Sequence, residues 1–222
     1  MRQIPLAIAQ PPQCSFENYL PGENRAALEH LMQLAPHSAP AYLWGPAGSG
    51  KTHLLLALAA GWQERGERVA WFGPTVSLPW AFDERASLIV FDDCDGLDAE
   101  QQHAAFALFV QASTVGVTVI SAGALPPVDL PLREDLRTRL GWGLVFALQP
   151  LSESEARAVL RREADRRGIR LTDEVLDYLL TRFARDLTQL MALLDRLDEF
   201  ALASRRAVTV PLLKKMLEEE GA

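Results

Sequence analysis

Residues 45–52 read GPAGSGKT, with Gly45 first and Thr52 last, and match G-x-x-x-x-G-K-[ST] in full. A short apolar run, AYLW (41–44), stops at Gly45, and a helix-forming stretch, THLLLALAAGW, opens at Thr52. Strand, glycine turn and helix N-terminus together are the context in which this pattern cradles phosphate. The residue types follow from that chemistry. Gly45, Gly48 and Gly50 let the backbone turn so that its N–H groups point inward at phosphate oxygens. The helix N-terminus adds partial positive charge. Lys51 reaches the β- and γ-phosphates, and Thr52 holds Mg²⁺. The expected nucleotide-binding set is Gly45, Pro46, Ala47, Gly48, Ser49, Gly50, Lys51, Thr52 and the adjoining His53, taking ADP or ATP with Mg²⁺.

A phosphate loop needs an acidic partner at the end of another strand, and SLIVFDDCD (87–95) supplies one. Asp92 stands where a carboxylate reaches Mg²⁺ through water. Asp93 is a candidate to polarise an attacking water, but it is one methylene shorter than glutamate. Nucleotide binding follows from these residues; fast hydrolysis does not.

Outward from these motifs, apolar runs alternate with helical patterns. AYLW, ERVAWF (67–72), SLIVF (87–91), VGVTVIS (115–121) and LVFAL (144–148) have strand length. Helical patterns occupy 51–65 and 98–113, the second with Phe106, Phe109 and Val110 on one side. An earlier helix carries Leu28, Leu31 and Met32 at helical spacing. Near-continuous apolar strands between helices predict an α/β fold, a parallel sheet covered on both faces. After Pro150 only helices are expected. Ser152 with Glu155 forms a capping box and Gly168 ends that helix. Thr172 caps a second helix. Leu187, Leu190, Met191, Leu194 and Leu197 line one face of a third, and TVPLLKKMLEEE closes the chain. The expected organisation is a leader and linker over 1–14, a nucleotide-binding core over 15–150 and an all-helical lid over 151–222.

Composition removes other classes. The 222 residues are 49% apolar and 23% charged, enough for a buried core. A formal charge of −7 argues against a chain that binds nucleic acid along its whole surface. No apolar run approaches the roughly 18 residues of a membrane span, and the first eight residues lack a signal-peptide core. Cys14 and Cys94 have no metal or redox spacing, which fits reduced thiols in a cytoplasmic protein.

Further motifs resemble the DnaA/Hda family of AAA+ proteins, over about residues 16–220. FENYLPGEN (16–24) is similar to the segment that lines the adenine pocket there, which assigns Phe16 and Tyr19 to the nucleotide. GKTHLL continues the phosphate loop as in that family, and DDCD is similar to its double-aspartate motif. RTRLGWGLVFALQPL (137–151) resembles the arginine-finger segment and makes Arg139 the finger, offered in trans to a neighbour's γ-phosphate. FARDLTQLMALLDRL (183–197) resembles the lid helix with the sensor arginine and gives that role to Arg185. One segment departs. In VTVISAGALPP, Ala124 and Leu125 replace the polar or acidic pair that the family sets before its prolines, and only Ser121 offers a polar group. The strand-four sensor is missing or relocated.

The resemblance implies an AAA+ module without a DNA-binding domain that switches off the replication initiator DnaA by stimulating hydrolysis of its bound ATP. The implied partners are DnaA, the sliding clamp (the β subunit of DNA polymerase III) and, through the clamp, DNA; a homodimer is also allowed, and no membrane is involved. The chain's own ATPase is expected to be weak or absent. The leader Gln3-Ile4-Pro5-Leu6-Ala7-Ile8 resembles clamp-binding peptides, with Gln3 donating and accepting through its amide and Leu6 and Ile8 as apolar anchors. Pro5 limits the freedom lost on docking. The alternative within the same clade is a helicase loader or transposition-type ATPase acting on single-stranded DNA.

Overall fold

A computed structural model describes residues 14–183, 187–204 and 206–220. Among the described residues five strands, β1 (Ala41–Trp44), β2 (Arg68–Phe72), β3 (Ala86–Phe91), β4 (Thr118–Gly123) and β5 (Leu144–Ala147), form one sheet. Its order is β2-β3-β4-β1-β5, and every pair is parallel. β4 therefore lies between β1, which leads into the phosphate loop, and β3, which ends in the aspartates. The ends of the three strands meet along one edge, where an α/β sheet offers a ligand crevice.

Helices cover both faces because successive strand residues point to opposite sides. Leu43, Leu88, Val90 and Ile120 pack with Leu31 of α1 (Arg25–Gln33) and with Leu54, Leu58 and Trp62 of α2 (Lys51–Glu64). Tyr42, Ile89, Phe91 and Val119 pack with Leu108 and Phe109 of α3 (Ala99–Val115) and with Leu136 and Leu140 of α4 (Glu134–Leu140). Trp62, Tyr42, Phe91 and Phe109 are among the largest fully buried side chains. Losing one aromatic of this kind costs about 3–5 kcal/mol.

Four local expectations change. The β-branched run at 115–121 does not begin the fourth strand: Val115 is the last residue of α3. Gly116, at φ 77°, caps the helix in the left-handed region, and the strand starts at Thr118. Met32 faces outward at 56% exposure, and the buried stripe near α1 is Ala27, Leu31 and Leu34. LVFA is not covered on both faces. It is an edge strand, and Leu144 and Val145 stay exposed. Thr172 precedes its helix without a side-chain cap bond.

The described residues fold as two compact units, one comprising those up to Gly45 and Gly50–Leu148, the other those from Gln149 onward together with Pro46–Ser49. The C-terminal helices are α5 (Glu153–Arg166), α6 (Asp173–Arg182), α7 (Leu187–Ser204) and α8 (Val210–Glu220). Leu160, Leu176, Leu179, Leu194, Leu197 and Leu213 form the centre of their core. The capping box at α5 is present: Ser152 N donates to Glu155 Oε2 at 2.8 Å, and Glu155 N donates to Ser152 Oγ at 3.3 Å. Gly168 follows the helix at φ 72°. Among the described residues no helix is long and apolar enough to cross a membrane.

Candidate nucleotide site and arginine finger

β1 ends at Trp44, and Gly45 N donates to Gly123 O at 3.3 Å, tying the start of the loop to the end of β4. Gly48 and Gly50 have φ of 77° and 90°, conformations that strain any residue with a Cβ. Gly50 meets a second constraint, since a Cβ there would lie 2.7 Å from Tyr19 Cε2. Ser49 N donates to Pro46 O at 3.2 Å. The Ser49 hydroxyl is buried and has no partner among the described residues. Lys51 Nζ donates to Gly45 O at 2.6 Å, so the ammonium lies back across the loop.

Thr52 and Asp92 are brought together across the strand ends. Thr52 Oγ1 donates to Asp92 Oδ2 at 2.9 Å, and Asp93 N donates to Asp92 Oδ1 at 3.0 Å. Burial raises the Asp92 pKa, and the Thr52 hydrogen bond and the Lys51 charge oppose that rise. Asp93 is exposed and sits in the left-handed region at φ 55°, where it leads into a tight turn over Cys94–Gly96.

The segment before α1 closes the other side of the loop. Tyr19 packs its ring against Gly50 and against His53, with ring centroids 5.4 Å apart. Asn24 Nδ2 donates to Tyr19 Oη at 3.1 Å. His53 Nε2 lies 3.0 Å from Ser15 O, and burial pushes the imidazole pKa down. Phe16 joins the same apolar cluster.

Side chains hold the main chain at the end of β4. Ser121 is buried, and Ala124 and Leu125 are exposed. Asp95 Oδ1 accepts from Ala124 N at 2.7 Å, and Tyr42 Oη donates to Leu125 O at 3.0 Å. Gly123 is pinned between them; a Cβ there would lie 2.2 Å from Tyr42 Oη. Sequence reasoning missed Tyr42 and Asp95 as organisers of this corner. Tyr42 reads as one apolar residue of AYLW, and Asp95 as one more acid after Asp92 and Asp93.

Arg139 lies in the last turn of α4. Its guanidinium carbon stands 4.5 Å above the Trp142 ring. Both residues line a cleft of about 870 Å³ with Phe106, Arg133, Glu134, Asp135 and Thr138. Trp142 is 58% exposed. Arg185, Gln3, Leu6 and Ile8 lie outside the described residues.

The residues present fit a nucleoside polyphosphate and its cation. The donor set is a glycine loop at a helix N-terminus, a lysine across it, a serine hydroxyl without a partner among the described residues and a threonine hydroxyl on a strand-end carboxylate. Over most of its length the fold is similar to those of solved structures. Domain III of the Thermotoga maritima replication initiation protein DnaA is similar with a TM-score of 0.77 and 21% identity, over 94% of this chain and 97% of that one. The chain shares the fold of DnaA domain III. AMPPCP-bound DnaA from Aquifex aeolicus is similar at TM-score 0.67 and 21% identity, over 83% of this chain and 65% of that one. The Thermotoga maritima RuvB Holliday junction branch migration motor is similar at TM-score 0.63 and 16% identity, over 88% of this chain and 67% of that one. Residues 153–217 match the family described as Hda, lid domain. The chain thus has a sheet-based core with the fold of DnaA domain III and C-terminal helices that match the Hda lid family.

Proposed function

We propose that this chain is a nucleotide-bound regulator of the replication initiator DnaA, which docks on the DNA-loaded sliding clamp and stimulates hydrolysis of DnaA-bound ATP. The observation that carries the reading is Arg139: a cation held at the surface of α4, beside an open cleft, in an AAA+ core with a lid that matches Hda.

In its own site the chain needs only to hold nucleotide. The backbone of 45–50 would bind the phosphates and Lys51 would span them. Thr52 and Asp92 would carry Mg²⁺, whose charge screens the phosphate oxygens. Tyr19, Phe16 and His53 would border the base, and Arg185 would act from the lid. Asp93 is the candidate to orient water. Ala124 and Leu125 would offer no polar side chain to a γ-phosphate, which supports slow turnover. In the partner's site the chemistry is a phosphoryl transfer to water. The γ-phosphorus gains a bond to the water oxygen, and its bond to the β–γ bridging oxygen breaks. ADP and inorganic phosphate leave. Arg139 would stabilise the charge that spreads over the transferring group, an effect of roughly 10³–10⁵ in rate for a finger supplied in trans. Gln3, Leu6 and Ile8 would anchor the clamp.

The test mixes purified chain, ADP, DNA-loaded clamp and ATP-loaded DnaA. Stimulated hydrolysis is expected with the natural chain and is lost in Arg139→Ala, which keeps ADP and clamp binding. Gln3→Ala with Leu6→Ala weakens clamp capture. Undiminished stimulation by Arg139→Ala refutes the finger. Capture of replicative helicase instead of clamp replaces the regulator with a helicase loader.

A further inference from the structure

We infer that Trp142 is a positioning residue for Arg139: its ring holds the guanidinium in a presented orientation while leaving the hydrogen-bonding edge open. This rests on the reading of Arg139 as a finger. Three local features build it. α4 ends at Leu140, where Gly141 N donates to Arg137 O at 3.1 Å and Trp142 N donates to Arg139 O at 3.0 Å. That tight return brings residue 142 back over residue 139. The other side of the turn is fixed by Gly143. A Cβ there would lie 2.0 Å from Pro40 O, and the next amide, Leu144 N, donates to that same oxygen at 3.1 Å. The backbone on both sides of Trp142 is therefore held, and an exposed indole is kept on the surface.

An arginine in solvent loses much side-chain freedom when it docks on a phosphate. A ring already beneath it takes up part of that loss before docking. The stack uses the face of the guanidinium. Its N–H groups lie in the plane and remain able to bind two phosphate oxygens at once. An ion pair with a carboxylate would consume those same donors. No carboxylate is paired with Arg139 among the described residues, although Glu134 and Asp135 line the same cleft and Asp135 is engaged by Arg133 at 2.6 Å.

Two measurements decide it. In the free, ADP-bound full chain, the Arg139 Nε order parameter from nitrogen-15 relaxation is expected above roughly 0.6 and falls below that in Trp142→Ala. Trp142→Phe retains a ring face and recovers most of the order. An Arg139 Nε as mobile in the natural chain as in Trp142→Ala overturns the inference, whatever the protein's function. The second measurement is stimulated hydrolysis of DnaA-bound ATP against concentration of the chain. Trp142→Ala lowers the maximal rate roughly 5-fold with an unchanged half-saturating concentration, and Trp142→Phe restores most of it. A raised half-saturating concentration with an unchanged maximal rate makes Trp142 a docking contact and overturns positioning. Absence of stimulation by the natural chain defeats the functional reading instead, and the order parameters still decide the role of Trp142.

Discussion

Thr52 Oγ1 donates to Asp92 Oδ2 at 2.9 Å, linking the first turn of α2 to the end of β3 across a strand that belongs to neither. The sheet order thus brings the threonine of the loop to the strand-end carboxylate. Lys51→Ala removes the ammonium that spans the loop and is expected to abolish ADP binding in calorimetry. Thr52→Ala keeps ADP binding but removes its Mg²⁺ dependence. Equal ADP affinity in Lys51→Ala would exclude this loop as the site.

Tyr42 Oη and Asp95 Oδ1 satisfy the corner after β4. Tyr42→Phe leaves the Leu125 carbonyl without this donor and is expected to cost about 1–2 kcal/mol in urea unfolding. An unchanged midpoint would mean that water replaces the hydroxyl and that the corner is not held by it.

Two glycines make opposite predictions. Gly143→Ala drives a Cβ into Pro40 O and is expected to destabilise by roughly 2–3 kcal/mol. Gly61→Ala lies inside α2 with nothing within 4 Å of the new Cβ, and is expected to stabilise by about 0.5–1 kcal/mol. Thermal midpoints that shift in the same direction for both would contradict the packing described.

His30 and His53 both have pKa values lowered by burial, and His30 Nε2 is buried without a partner among the described residues. In the folded chain these imidazoles stay neutral at pH values where the unfolded chain takes up protons, from about 6.5 downward. Stability contributed by the neutral rings is complete above that point and declines as pH falls through it to their folded values. Denaturation midpoints should drop between pH 7.5 and 5.5. His30→Phe should flatten that slope; an unaltered slope would remove His30 from the account. Glu155 and Glu163, whose pKa values are lowered, act in a separate window below about pH 4.5.

Legibility followed the range of the interactions. The phosphate loop is a contiguous string whose glycines, lysine and threonine serve one turn, so spacing alone identifies it. Ser152 and Glu155 are three residues apart, and their capping box is equally local. Thr172 shows the limit: the residue type suits a cap, yet its hydroxyl makes no cap bond. Val115 shows another. Its β preference yields to the helix that Gly116 terminates, because a left-handed glycine sets the boundary more strongly than side-chain propensity.

By itself the sequence determined a parallel α/β core with a phosphate loop, an acidic strand end and a helical C-terminal unit, since strand and helix periods and a one-turn motif are encoded by neighbours. Tertiary structure alone decided that β4 lies between the two motif strands, that Tyr42 and Asp95 lock its end, that LVFA is an open edge and that Trp142 lies beneath Arg139. The first three depend on strand order and on contacts between residues tens of positions apart. The last depends on the direction of a turn that is set by the carbonyl of Pro40. Side-chain type and spacing do not carry that information.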